Sequence, residues 1–270
     1  MVFVPITRIA CPARIHQLGE PLSEPRKVHR RPLAGGRIAR ARARGTDNQM
    51  KLTIFAATGG IGRHHVGQAI AAGHDVTAVA RNPASLPAEV RAVRADLATA
   101  EPAALATAVG GADAVLSALG PRSKAEYGIA STGTRAITGA MQAAGVRRVV
   151  VVSAAPVGTV ASPRRPQPPK HDPGDGFVMR HLLSPLINAA LRDLYADLAL
   201  MEDILADSGL DWTAVRPPRL TNKAETGVYR TAYGRNLRRG LTVSRADVAH
   251  LMLAVLGQPE TVGQTIGIAY

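Results

Sequence analysis

The chain is nearly devoid of cysteine. It has one, Cys11, in 270 residues, so neither a disulfide framework nor a thiolate-built metal site can be assembled, and a reducing compartment is expected. Long apolar runs are also missing. No stretch approaches the length needed to cross a bilayer, which excludes a membrane-spanning helix and makes the cytoplasm the expected location. No internal repeat is evident. What remains is enough chain for one sizeable core, and residues 50–270 suit a single α/β domain.

Acidic residues are scarce at the front. The formal net charge is +13, and residues 1–49 supply +7 of it, with nine Arg and one Lys against Glu20, Glu24 and Asp47. That segment is Arg-rich, proline-containing and without periodic apolar patterning, so it is expected to be disordered. Three readings compete: an arm that touches nucleic acid or anionic surfaces, a transit-like leader, and translation that starts at Met50, directly before the first strand. The third is favoured. The other 221 residues carry only +6, which is ordinary for a protein that handles phosphates and makes nucleic acid an unlikely partner.

The information lies in a glycine turn. Lys51 to Ala56 has strand character and runs into Thr58-Gly59-Gly60-Ile61-Gly62, after which Val66, Ala69 and Ile70 share one helical face. Strand, tight turn and helix in this order open a βαβ unit, where free helix-start amides and the helix dipole attract a pyrophosphate. A side chain at Gly59 or Gly62 is expected to hold that group away. Thr58, Gly59, Gly60, Ile61 and Gly62 are therefore candidate cofactor residues. The pattern departs from three standard glycines, since Ala56 and Thr58 stand where glycine is common.

Downstream, apolar runs alternate with helical patterns as in a Rossmann-like, doubly wound parallel sheet, with small C-terminal elements on the substrate side. Strands are expected at 51–56, 75–80, 90–95, 113–118, 147–153 and 211–216, and helices at about 61–72, 102–109, 125–144 and 190–207. Val149 to Val152 reads as a strand buried on both faces. Gly73, Gly145 and Gly209 read as helix stops. A short strand (228–233), a helix opened by Ser244 and Asp247 in capping-box fashion, and a closing strand (265–270) complete the chain. Six prolines between 156 and 175 mark a long loop, read as a lid or insertion over 156–190.

At the end of the second strand stands Arg81, where NAD-preferring sites carry an acid that accepts ribose hydroxyls. An arginine cannot accept, but it can grip a 2′-phosphate, so NADP(H) is expected over NAD(H) unless Arg81 is merely a solvated surface residue. Asp96 is placed to accept from an adenine amino group, or to serve as a turn aspartate. Gly120 lets a cofactor lie against backbone, and Arg122 is either a contact for phosphate or an acidic substrate, or a surface residue. The dyad of short-chain dehydrogenases, a tyrosine with a lysine four residues on, is absent: Ser131, Ala199, Tyr233 and Leu237 follow Tyr127, Tyr195, Tyr229 and Tyr233 at that spacing. Ser153, ending the fifth strand, is the candidate catalytic residue, to orient a carbonyl or relay a proton, or else a structural serine.

Ala57-Thr58-Gly59-Gly60-Ile61-Gly62, Val79 to Asn82, Ala95-Asp96-Leu97, Val152-Ser153-Ala154 and Ser208 to Pro218 together resemble the atypical short-chain dehydrogenases. The similar branches are the NAD(P)H-binding proteins like biliverdin-IXβ/flavin reductase and the NmrA-like regulators. The resemblance implies that Thr58 to Gly62 bind the pyrophosphate, Arg81 the 2′-phosphate, and Asp96 and Leu97 the adenine. Leu119, Gly120 and Ser153 would line the nicotinamide, and Pro217, Pro218 and Arg219 would close the pocket. The expected function is NADPH-dependent reduction of a small conjugated, flavin-, quinone- or carbonyl-type molecule; the alternative is a non-catalytic NADP(H) sensor. An epimerase or dehydratase generally needs the missing dyad.

Overall fold

The computed structural model describes residues 49–174 and 191–270. The expectations for residues 1–48, and for 175–190 of the lid, lie outside the described residues. In chain order the elements are β1 (Lys51–Phe55), α1 (Gly62–Ala71), β2 (Asp75–Ala80), β3 (Arg91–Arg94), α2 (Pro102–Val109), β4 (Ala114–Ser117), α3 (Ile129–Ala144) and β5 (Arg148–Val152), then α4 (Arg192–Asp207), β6 (Asp211–Arg216), β7 (Arg219–Thr221), β8 (Arg230–Tyr233), β9 (Thr242–Ser244), α5 (Arg245–Ala254) and β10 (Gln264–Ala269).

An eight-stranded sheet runs β3-β2-β1-β4-β5-β6-β10-β8, with every pair parallel except β10 with β8. The fold is the expected Rossmann-like doubly wound sheet. Chain order reverses between β1 and β4, which opens a crevice beyond their carboxyl ends. The central strands are buried on both faces, as β5 shows. Val150 and Val152 face a core shared with Val66 and Ala69 of α1 and Val248, Leu251 and Met252 of α5. Val149 and Val151 face the opposite core, with Leu105 of α2, Ile137 and Met141 of α3, and Met201 and Leu205 of α4.

Two features were not in the sequence pattern. The helix expected from 125 starts at Ile129, because Gly128 sits at φ +96° and breaks it from a short turn at Lys124–Glu126. Gly145 ends the same helix at φ +71°; both angles favour a residue without Cβ. The second is a separate two-stranded sheet, β7 with β9, in register Arg219↔Thr242 to Thr221↔Ser244. Three-residue strands leave no periodicity to read. The capping of α5 agrees with expectation: the Ser244 hydroxyl accepts from the Asp247 backbone N–H at 2.9 Å.

At the amino ends of the strands, Arg148 fixes the base of the sheet. Its guanidinium donates to the carbonyls of Asp211, Val255 and Leu256 and to the hydroxyls of Thr213 and Thr261. It thereby meets the carbonyl end of the α5 segment, where a cation is favoured.

Candidate functional site

The turn between β1 and α1 forms the floor of a cavity of about 450 Å³ at the carboxyl ends of the strands. The Gly59 N–H bonds the Ala56 carbonyl at 2.8 Å. No protein group among the described residues accepts from the N–H groups of Gly60, Ile61 and Gly62. Helix α1 has no side-chain cap and no acid in its first turn, so the positive end of its dipole meets the cavity uncompensated.

Backbone packing fixes Gly62, whereas Gly60 faces only a flexible side chain. A Cβ on Gly62 would stand 2.1 Å from the Ala56 carbonyl oxygen, and one on Gly60 would stand 2.8 Å from Nε of Arg245. Gly62 is therefore needed for the turn to close on the strand, a constraint additional to the expected one from a ligand. Ala56, in place of a glycine, adopts φ +55°, a left-handed conformation costing a side-chain-bearing residue roughly 1–2 kcal/mol.

At one end of the cavity Arg81 reaches Glu126, with Nη1 to Oε1 at 2.8 Å, while Glu126 Oε2 accepts from the Arg122 backbone N–H at 2.7 Å. The Arg122 backbone bond and the Arg81 guanidinium hold the Glu126 carboxyl below its usual range. This pair joins the end of β2 to the loop after β4. Asp96 Oδ1 accepts from the Ala98 N–H at 3.1 Å, so it serves a turn while also lining the cavity. Nearby, a Cβ on Gly133 of α3 would come within 2.7 Å of Leu119 and 3.3 Å of Leu97. That close approach of α3 sets where both leucines lie.

At the other end, the Ser153 hydroxyl donates to Glu202 Oε1 at 2.7 Å, and the same oxygen accepts from Arg216 Nε at 2.8 Å. All three side chains are buried, each about 6% exposed. The serine proton is thus committed to a carboxylate already paired with an arginine. The Ser153 oxygen can still accept a hydrogen bond from a bound molecule.

Of the sequence-derived candidates, Thr58, Gly59, Gly60, Ile61, Arg81, Asp96, Leu97, Leu119, Gly120, Arg122 and Ser153 all line this one cavity. Gly62, Pro217 and Pro218 do not. The carbonyl of Pro217 accepts from the Ala155 N–H and faces the β5 side, and Leu220 of β7 lines the wall instead. None of residues 156–174 of the expected lid lines it either. Ser162 and the Arg164 backbone bond Asp203 of α4, and buried Asp172 accepts from the N–H groups of Gly174 and Asn236, so this stretch packs onto α4 and the turn after β8. The residues that sequence reading missed are Glu126, Leu194, Leu198, Leu220 and Arg245. Among the described residues no group of His, Cys, Asp and Glu is arranged to hold a metal ion, and no helix is long and apolar enough to cross a membrane.

A family model described as NAD(P)H-binding matches residues 56–259. The chain belongs to the NAD(P)H-binding family. Solved structures agree with this placement. A candidate exported protein from Burkholderia pseudomallei is 30% identical, with 82% of this chain and 100% of that chain covered and a TM-score of 0.63. A candidate NADH-flavin reductase from Streptococcus pneumoniae is 23% identical over 82% and 99% of the two chains, at TM-score 0.62. A wide-type short-chain dehydrogenase/reductase from Veillonella parvula, solved in complex with NADP, is 16% identical over 82% and 94%, at TM-score 0.66. At such identities the last two show the fold. The expected NAD(P)H-binding family and the Rossmann-like fold are therefore both shown.

The residues present fit that cofactor. The bare amides of Gly60, Ile61 and Gly62 offer donors to a diphosphate, and the Arg245 side chain lies against the turn at Gly60.

Proposed function

We propose that the protein is an NADPH-dependent reductase of a small conjugated molecule of flavin, quinone or carbonyl type. The observation that carries this reading is the uncapped start of α1 at the floor of a cavity that Arg81 also lines. In this reading the amides of Gly60 to Gly62 hold the diphosphate. Asp96 and Leu97 take the adenine, and Arg81 takes the 2′-phosphate, sharing its guanidinium between that group and Glu126. Leu119, Gly120 and Ser153 line the nicotinamide end, and Leu194, Leu198 and Leu220 give an apolar wall against which a flat acceptor lies. When bound, the reduced nicotinamide supplies a hydride. The protein's own part is to align donor and acceptor and keep water away. A conjugated acceptor spreads the incoming electron pair, so its proton can come from solvent and no tyrosine–lysine dyad is needed. Ser153, its proton directed at Glu202, offers its oxygen to an N–H of a flavin-type acceptor.

The test is NADPH oxidation with flavin, biliverdin and quinone panels. Turnover with at least one acceptor is expected, and tight NADPH binding with none turned over would overturn the reading. Arg81→Glu should weaken NADPH at least about tenfold more than NADH, the scale of a lost charge-assisted bond. An unchanged preference would remove the 2′-phosphate assignment.

One observation favours a second reading, a non-catalytic NADP(H) sensor: the Ser153 proton is sequestered by Glu202. A sensor must bind NADP⁺ and NADPH with different affinities, since equal affinity shifts no equilibrium. Equal affinities in paired titrations of the two forms would remove this second reading.

A further inference from the structure

We propose that Arg245 is the second wall of the diphosphate site, a guanidinium that closes over the anion from the side opposite the α1 amides. The proposal rests on the NAD(P)H-binding reading and adds a residue far along the chain from the glycine turn.

Arg245 is the first residue of α5, directly after its N-cap Ser244. Its Nε lies 2.8 Å from where a Gly60 Cβ would be, so its side chain crosses the glycine turn at the cavity. The arginines of the described ion pairs, Arg81, Arg147, Arg164 and Arg216, each hold a carboxylate. Arg245 has no such partner among the described residues. Its Nη1 donates to the neutral side-chain oxygen of Asn222 at 2.6 Å. An amide orients a guanidinium without neutralising it, which leaves its charge for a ligand.

The surrounding structure explains why this side chain is held there. Asn222 and Arg245 directly follow the paired residues Thr221 and Ser244 of the β7–β9 sheet, so that sheet brings the two together. The fully buried Asp247 then ties the segment down. Its carboxylate accepts from the N–H groups of Thr226 and Gly227 and from the hydroxyls of Thr226, Ser244 and Tyr270. Burial alone would raise the Asp247 carboxyl, and these bonds outweigh it and hold it below its usual range. The result is a rigid platform carrying one cation to the glycine turn.

Charge balance gives the platform a purpose. A helix end supplies the equivalent of about half a positive charge, whereas a diphosphate diester carries two negative ones. With Arg81 shared between Glu126 and the 2′-phosphate, Arg245 is the guanidinium at the turn available to meet the remainder, in the fork geometry that suits phosphate oxygens.

Calorimetric titration of Arg245→Met, Arg245→Lys and Asn222→Ala with NADPH, NADH and adenosine 2′-monophosphate tests the proposal. Arg245→Met should weaken NADPH and NADH by the same factor, about tenfold to a hundredfold. Adenosine 2′-monophosphate, which lacks a diphosphate, should bind as to the wild type. Arg245→Lys should fall between the two, and Asn222→Ala should show a smaller loss of the same pattern; these two carry the test if Arg245→Met does not fold. Dinucleotide binding by Arg245→Met within about twofold of wild type would overturn the proposal, because a lost charge-assisted bond cannot be that small. An equal loss of adenosine 2′-monophosphate would overturn it too. Failure of the wild type to bind either dinucleotide would instead bring down the cofactor reading itself.

Discussion

Two helices begin at the carboxyl edge of the sheet, one on each face, α1 after β1 and α3 after β4, and their first turns are treated in opposite ways. At α3, Asp197 of α4 reaches across and accepts from the N–H groups of Gly128, Ala130 and Ser131, all at 3.0 Å. At α1 there is no side-chain cap, and the first turn carries Arg63, His64 and His65 and no acid. Both ends have the same dipole and the same donors. One is closed by an internal carboxylate and the other is left for a carboxylate's equivalent from outside. In the proposed reading, the anion site is the one of these two helix ends that lacks an internal competitor.

The comparison breaks most severely at Asp197. Asp197→Ala strands three N–H groups, two of them on buried residues, and should lower stability by about 3–5 kcal/mol in urea unfolding, allowing for partial hydration of the stranded donors. Phosphate should then raise its melting temperature more than it raises that of the wild type, because the variant has gained a bare helix end. The converse variant, Thr58→Asp, supplies an internal carboxylate beside the α1 amides. It should weaken NADPH by more than about a hundredfold without lowering the melting temperature, as measured by calorimetry and thermal melts.

The α1 end also has a pH signature. His65 is fully buried with neither ring nitrogen hydrogen-bonded, and burial, together with His64, lowers its pKa to about 3. The unfolded chain binds a proton near pH 6.5 that the folded chain refuses. Stability is therefore complete above about pH 6.5 and falls as the pH drops toward 3, by up to about 1.4 kcal/mol per pH unit from this group. Between pH 6.5 and 5 the loss should be about 2 kcal/mol, and His65→Leu should remove it. The smallest effect is expected at Ala56. Ala56→Gly relieves the left-handed backbone and should stabilise the protein by about 1 kcal/mol, less the entropy glycine adds to the unfolded chain. NADPH affinity should be unchanged.

What could be read from the sequence was local. The β1–turn–α1 run, the doubly buried valines of β5, the glycine stops and the Ser244–Asp247 cap each declare themselves within a few residues, and the structure has all of them where expected. The cavity lining from Thr58 to Ser153 followed from strand-end positions. What escaped depends on partners distant in sequence: Ser153 with Glu202, Arg81 with Glu126, the α3 amides with Asp197, Gly60 with Arg245. None leaves a periodic trace, because a carboxylate on a helix reads the same whether it faces solvent or caps a neighbour. The assignment of Pro217 and Pro218 to the pocket missed for a related reason. The chain turns there into β7, so that Leu220 faces the cavity.

Arg148 bears on how the molecule admits a guest. Its five acceptors belong to three separate stretches of chain, β6, the end of the α5 segment and the turn before β10, so the heel of the sheet behaves as a single stiff block. Any widening that lets a large planar compound enter must open at the toe, like a book whose spine is sewn. Coordinates from different ligand states should therefore superpose tightly around Arg148 and fan apart with distance from it.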